Sequence, residues 1–495
     1  MKKILIFTAV IMLFSTGSFA QIVGGTTGVL TWSLDLNDST LTISDSGEML
    51  NYNYSDSLAP WHTHRANIIN VVIGDSITNI GNYAFYQCNK LVSVNIPNSV
   101  TSIGTAAFWE CRNLASAIIP NDVTNLEGYV FAFCDSLASV NIPNKITNIG
   151  DWTFYCCQNL ESIIIPDKVT SIGDYAFYQC TNLTSINIPN EVISIGSHVF
   201  NQCGKLTSIN IPDKVVSLGN FVFFQCNGLT SVYIPHSVAS MGIYVFGECR
   251  NLESIDVDEN NAVFSSEDGI LFNKSKTTVI QYPINKLGTS YSIPNSVTII
   301  GTSSFRYSNL VTVNIPNSVI YICDFAFGYC YSLNSVTIGK NVDSVSYGVF
   351  NECIAIKHIY SLNEIPPITC TGTFYLIDTN TCILHVPIGC KSKYAEAFGW
   401  KSFINIEEDA IWIEKSQNYE VTKLRVYPNP TTGQLIIDNG QLTTENVEIY
   451  NAVGQKQKII DNYQLPIVNS IDVSHLASGL YVLKIRNKTV KFLKE

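Results

Sequence analysis

Charge is scarce in this chain. Only 14% of its 495 residues are Asp, Glu, Lys or Arg, against roughly 25% in an average globular protein. Basic charge is scarcer still, with 29 Lys and Arg against 40 Asp and Glu, for a formal net charge of −11. Nucleic-acid binders usually carry a basic surplus, so no nucleic-acid partner is expected. Disordered chains are more charged and less apolar than this one, which is 46% hydrophobic. Beyond the first twenty residues, no apolar run approaches the ~20 residues that a membrane-spanning helix needs. No transmembrane anchor is therefore expected. Chemical motifs are also missing. There is no Gly-x-x-x-x-Gly-Lys loop, no Gly-x-Gly-x-x-Gly and no Cys-x-x-Cys.

What is present begins with an address. Lys2 and Lys3 precede an apolar run over residues 4–14, and Ser18-Phe19-Ala20 puts small residues at −3 and −1 of a cut before Gln21. This is the pattern of a secretory signal peptide, residues 1–20. No cysteine sits at the cut, so an amino-terminal lipid anchor is not expected.

A fixed period then governs the middle of the chain. Ile-Pro pairs start at Ile96, Ile119, Ile142, Ile165, Ile188, Ile211 and Ile234, a step of 23 each time, and return at Ile293 and Ile315. A leucine column (Leu91, Leu114, Leu137 onward to Leu252) and a phenylalanine column (Phe85, Phe108, Phe131 onward to Phe246) keep the same step, and the phenylalanines return at Phe305, Phe327 and Phe350. A unit this short cannot bury its own apolar face, so copies must stack. In L-x-x-V-x-I the apolar positions alternate with polar ones, as in a strand with one face inward. Proline ends that strand because it cannot donate to a ladder. Glycines after the next apolar run (Gly81, Gly104, Gly150, Gly173, Gly196, Gly219, Gly242, Gly301) read as turns with positive φ. The Ala-Phe-x-x-Cys stretch reads as a return turn or half-helix. The expected fold is mainly β, a parallel solenoid with rungs about 4.8 Å apart.

These columns resemble the BspA-like leucine-rich repeats of bacterial surface proteins. The resemblance covers about residues 21–407 and implies a leucine-rich-repeat solenoid with β-rich caps. Leu30-Thr31-Trp32-Ser33-Leu34 and Leu41-Thr42-Ile43 look like the amino-terminal β cap, residues 21–59. The solenoid then spans 60–361, with a β-rich insertion at 254–292 where the period breaks. Cys382-Ile383-Leu384-His385-Val386-Pro387, Gly399-Trp400 and Phe403 resemble a closing cap, residues 362–407.

After a linker at 408–422 the composition changes. Val426-Tyr427-Pro428-Asn429-Pro430, Val447-Glu448-Ile449-Tyr450-Asn451 and Ser478-Gly479-Leu480-Tyr481-Val482 read as short strands of a small β-sandwich. The set resembles a type A carboxy-terminal sorting domain of the type IX secretion system, residues 423–495. That implies contact with the type IX machinery and a mature chain at the outer-membrane surface or in the extracellular space.

No catalytic constellation assembles. Ile22-Val23-Gly24-Gly25 looks like the start of an activated chymotrypsin-type protease, but Gly74-Asp75-Ser76 runs on into Ile77 and no triad follows. His62 and His64 at i, i+2 would share a strand face, yet two ligands do not close a zinc site. No enzyme activity, cofactor or metal is expected. Of the 15 cysteines, ten form a column (Cys88, Cys111, Cys134, Cys157, Cys180, Cys203, Cys226, Cys249, Cys330, Cys353). Like-pointing side chains on adjacent rungs hold their Cβ atoms too far apart for easy disulfides. Stacked free thiols, packing as compact hydrophobes, are expected there. A bridge among Cys370, Cys382 and Cys390 is left open.

Two surfaces are candidates for binding. The strand face presents Asn95, Ile118, Asn141, Ile164, Asn187, Asn210 and Tyr233 before successive Ile positions. The turn side presents aromatic columns with Tyr83, Trp109, Tyr129, Trp152, Tyr155, Tyr175, Tyr178 and Tyr244. Aromatic rows can anchor proteins or stack on sugars. The reading is a secreted, non-catalytic binding or adhesion module for a protein or glycan on hosts, matrix or cells. The alternative is a carbohydrate-binding or structural envelope protein that uses the aromatic columns.

Overall fold

The computed structural model describes residues 21–409 continuously, then residues 425–427, 434–438, 447–451, 456–460, 470–485 and 488–494. The signal segment 1–20 and the linker residues 410–422 lie outside the described residues. The chain divides into two compact units, 1–412 and 413–495.

The first unit opens with three antiparallel strands, Ile22–Thr27, Leu30–Asp35 and Thr40–Ser44. Leu30, Trp32 and Leu34 are buried while Thr31 and Ser33 face water, the alternation of a one-faced strand. Thr40–Ser44 then pairs in parallel with Asn70–Ile73, which pairs in parallel with Ser93–Asn95. The cap therefore hands its register to the first rungs.

Each rung contributes two short parallel strands. In the first column Ser162–Ile164 lies on Ser185–Asn187, with Ile163 opposite Ile186. In the second, Asn148–Ile149, Ser171–Ile172, Ser194–Ile195, Ser217–Leu218 and Ser240–Met241 stack serially. A third column runs through the turns. The N–H groups of Tyr83, Phe85 and Gln87 donate to the carbonyl oxygens of Thr105, Ala107 and Trp109 at 3.0, 2.8 and 2.8 Å. The amides between them, on Ala84, Tyr86 and Cys88, close tight turns onto Gly81, Tyr83 and Phe85. The stretch is thus a stacked turn, not a half-helix.

This alternation requires a left-handed backbone on both sides of each phenylalanine. Tyr83 and Gln87 have φ of 54° and 59°, and Tyr175 and Gln179 have 57° and 56°. None of these is glycine, so each costs about 1–2 kcal/mol. The conformation persists because the next rung over-determines it.

The glycine column differs from the sequence expectation. None of Gly81, Gly104, Gly150, Gly173, Gly196, Gly219, Gly242 and Gly301 has positive φ. Glycine stands there for clearance. A Cβ on Gly173 would lie 2.3 Å from Asp151 Oδ1 and 2.7 Å from Asp151 N. That Asp151 oxygen accepts the N–H of Asp174 at 2.8 Å, and Asp174 accepts that of Ser197 at 2.6 Å. Where Asn82, Asp151, Asp174, Ser197 or Asn220 follows the glycine, its side chain tethers the next rung, and beside the Asn and Asp tethers only a bare Cα fits.

The core is a stack of fully buried rings. Phe85, Phe108, Phe131, Phe154, Phe177, Phe200, Phe223 and Phe246 follow one another at 5.2 to 5.8 Å, within 14° of parallel. The cysteine column does more than pack. Cys111, Cys134 and Cys157 donate S–H to the carbonyl oxygens of Phe85, Phe108 and Phe131 on the preceding rung at 3.1, 3.3 and 3.2 Å. Every cysteine is a free thiol, and no bridge forms among Cys370, Cys382 and Cys390.

The insertion replaces a rung. Phe264–Glu267, Ile270–Asn273 and Thr278–Gln281 form an antiparallel meander, and the last strand resumes parallel pairing with Ile299–Ile300. The apolar interior divides there into two cores, one ending at Leu271 and the other starting at Ile270. At the far end Ile383–Pro387 pairs with His358–Ser361, and Asn405–Asp409 closes the sheet. This last strand runs two residues past the expected cap boundary. Trp400 and Phe403 cover the last ring, Phe374, at 4.9 and 5.0 Å.

In the second unit the described strands form two antiparallel sheets. One joins Arg425–Tyr427, Gln434–Asp438 and Ser470–Asp472. The other joins Lys456–Ile460, Val447–Asn451, Gly479–Ile485 and Lys488–Lys494.

Burial pushes the Cys88 and Cys203 thiols up to about 12, which keeps them protonated and slow to exchange. Thiol titration of the denatured, unreduced mature protein should therefore count all 15 cysteines as free. A count below eight would contradict the thiol column.

Candidate binding surfaces

The strand face is built by the first column, where alternate residues must point away from the core. Asn95, Asn141, Asn187 and Asn210 are all exposed there. Ile118, Ile164 and Tyr233 are exposed to 77%, 84% and 49%. The register sets Ile164 beside Asn187 and Tyr233 beside Asp256. Two of these residues also serve the fold. Asn141 accepts the Ile119 N–H at 2.7 Å and donates to the Ile119 carbonyl at 2.8 Å, binding two rungs together. Tyr233 donates its hydroxyl to Asp258 Oδ2 at 2.7 Å. The apolar Ile118 and Ile164 have no such duty.

The aromatic residues gather on the turn side in two rows. Tyr129, Trp152, Tyr175, His198, Phe221 and Tyr244 form one unbroken pile with centroid spacings of 5.4, 4.1, 4.4, 4.7 and 5.1 Å. His198 belongs to this pile, though its residue type hid it from an aromatic column. Tyr155 and Tyr178 stack at 4.8 Å in the second row. Tyr83 and Trp109 are tilted by 50° at 6.2 Å. The piled rings are half-buried and spend their faces on one another, leaving mainly edges to solvent.

His62 and His64 do not lie on a strand. They sit in the short 3-10 helix His62–Asn67, with His62 stacked on Tyr86 at 5.7 Å. Among the described residues no group of three or more His, Cys, Asp or Glu side chains could hold a metal ion. One polar cluster was not foreseen. His385 Nδ1 lies 2.9 Å from Asp409 Oδ2, and His385 Nε2 lies 3.1 Å from His358 Nδ1. Tyr360 stacks on His385 at 4.2 Å. The two histidines are far apart in sequence, and only the parallel pairing of Tyr360 with His385 brings them to one face. The cluster gives the closing end of the strand face a hydrogen-bonded imidazole pair oriented by a carboxylate.

Comparison with known proteins bears on the whole scaffold. A family model described as BspA type Leucine rich repeat region (6 copies) matches residues 63–183, 147–277 and 281–402. A second, described as Secretion system C-terminal sorting domain, matches residues 425–495. No curated protein matches the chain. Solved structures that resemble it include a leucine-rich repeat protein from Bacteroides ovatus ATCC 8483, at 22% identity over 73% of this chain and 99% of that one, with a TM-score of 0.49. Another is a leucine rich cell surface protein from Faecalibacterium prausnitzii A2-165, at 23% identity over 78% and 95% of the two chains, with a TM-score of 0.39. A leucine-rich repeat protein from Eubacterium ventriosum ATCC 27560 shares 24% identity over 74% and 78%, with a TM-score of 0.34. Among the described residues no helix is long and apolar enough to cross a membrane.

Histidine burial sets a pH response. Burial lowers the pKa of His198 within its pile, against a smaller opposing pull from Asp174. Burial, with the neighbouring His385, also lowers that of His358. The folded state therefore binds these protons less readily than the unfolded chain. The stability they contribute is complete above the unfolded value of about 6.5 and is lost as pH falls through the lower folded value. The melting temperature should fall between pH 7 and pH 5. His198→Phe should keep the pile and reduce that fall; an unchanged pH profile would show that His198 carries none of it.

Proposed function

From the premise that this chain belongs to the BspA-type leucine-rich repeat family, we propose that it is a non-catalytic binding module that adheres through its strand face to proteins on host, matrix or neighbouring-cell surfaces. Its carboxy-terminal sorting domain directs it, by type IX secretion, to the cell surface or the extracellular space. The scaffold is that of a repeat protein, a class that supplies extended binding surfaces.

The observation that carries the proposal is the exposure of Ile118 and Ile164, at 77% and 84%. They stand two rungs apart, about 10 Å by strand spacing. They sit on a face whose other outward residues are mostly Ser and Asn, with Tyr233 and Asp256 further along it. Apolar side chains that no packing explains, framed by small polar groups, are typical of the anchors of a protein interface. The alternative, sugar recognition on the aromatic columns, is less well supported. A sugar ring needs an open aromatic face, and the piled rings give theirs to each other.

The test uses the mature protein against a panel of immobilised extracellular-matrix proteins. Where the wild-type binds, Ile118→Asp with Ile164→Asp should weaken binding at least tenfold with little change in melting temperature. Trp152→Ala should leave binding intact. The reverse pattern would overturn the strand-face proposal in favour of the aromatic columns.

A further inference from the structure

The glycine column is interrupted at Glu127, Cys323 and Ser346, but only at Glu127 does a glycine, Gly128, also take the next position, and a cleft lies there. Where neighbouring copies read Ile-Gly-Thr, Ile-Gly-Asp and Ile-Gly-Ser, the third reads Leu126-Glu127-Gly128. Glutamate takes the clearance position and glycine takes the tethering position. The consequence is visible in the second strand column. Asn79–Ile80, Ser102–Ile103 and Asn125–Leu126 form one ladder, and a separate ladder begins at Asn148–Ile149. On other rungs the glycine N–H donates to the strand before it: Gly104 to Ile80, Gly173 to Ile149 and Gly196 to Ile172, all at 2.9 Å. No such bond joins Gly150 to Leu126. Asp151 loses its tether too. The amides of Asp174 and Ser197 are held by the preceding aspartate, but Gly128 has no side chain to hold that of Asp151.

The opened ladder borders a cleft of about 400 Å³, lined by Thr105, Asn125, Glu127, Tyr129, Asn148 and Asp151 among others. That volume lies at the lower end of small-molecule sites. The wall offers two adjacent backbone N–H donors, on Gly150 and Asp151. Beside them stand the carboxylates of Glu127 and Asp151 and the amides of Asn125 and Asn148. Asn125 Nδ2 orients Glu127 through a hydrogen bond to Oε1 at 2.5 Å. No Lys or Arg lines the cleft.

This donor and acceptor set selects a chemistry. An anion would find N–H donors but also two carboxylates with no cation between them. A hydroxyl group both donates and accepts, so it can serve a carboxylate and an amide together. We infer that this cleft is a binding site for a neutral sugar residue, separate from the strand face and bordered by Tyr129, the first ring of the aromatic pile.

The test restores the repeat. Glu127→Gly with Gly128→Asp rebuilds the sequence of the neighbouring rungs, so it should close the ladder and hold or raise the melting temperature. Full-length mature protein is titrated calorimetrically with mannotriose, cellotriose and a galactose-terminated trisaccharide, with a sialylated trisaccharide as the charged control. The wild-type should bind at least one neutral trisaccharide, and the double variant should bind it at least tenfold more weakly. Ile118→Asp with Ile164→Asp should leave sugar binding unchanged. The inference is overturned if no neutral trisaccharide binds, if only the sialylated one does, if the repeat-restoring variant binds equally well, or if chelation of divalent cations abolishes binding.

Discussion

Everything in this molecule depends on one hydrogen-bonded step, the pairing of each turn with the turn of the next rung. Strand pairs alone would be too short, since many contain only two residues, such as Ser171–Ile172 and Ser194–Ile195. The turn adds three further N–H···O=C bonds per rung, from Tyr83, Phe85 and Gln87 in the first copy. To aim those amides along the stack, non-glycine residues accept a left-handed backbone that would be costly in isolation. The repeat answers to this constraint: even the one 22-residue copy, Phe305 to Phe327, keeps the three turn bonds, from Ser303, Phe305 and Tyr307 to Asp324, Ala326 and Gly328.

The same constraint explains which positions are free to vary. Phenylalanine, cysteine and glycine are held by ring stacking, by the S–H bond to a buried carbonyl, and by clearance beside the tether. Outward strand positions lie outside the core, so Ile118 and Ile164 can stand where other rungs have Asn141 and Asn187 without disturbing the core. Departures from the repeat are therefore where recognition can be written. Outward ones alter the surface alone. At Glu127-Gly128, where glycine and tether exchange places, the second strand ladder is interrupted.

Much of the scaffold was legible from residue spacing, because stacking forces the same residue type to recur in each column. The parallel strands and the thiol column follow from that register, whereas the caps rest on the family resemblance. The left-handed positions were not legible. They are occupied mostly by Tyr, Phe, Gln and Glu, which have no local preference for positive φ, while the glycine column itself is used for clearance. The pair of His358 and His385 was hidden for a related reason: contacts between rungs join residues that sequence distance separates. The cleft beside Glu127 was present in the sequence as a gap in the glycine column. Its meaning needed the hydrogen bonds that the gap removes.

Amide hydrogen exchange on the mature protein tests the turn ladder most directly. In each regular rung, the amides of the two left-handed residues and the phenylalanine between them, such as Tyr175, Phe177 and Gln179, should exchange slowly even though they lie in turns. Gly173, Gly196 and Gly219 should also be slow, and Gly150 and Asp151 fast. Rapid exchange throughout the turns, with protection confined to the short strands, would contradict the account.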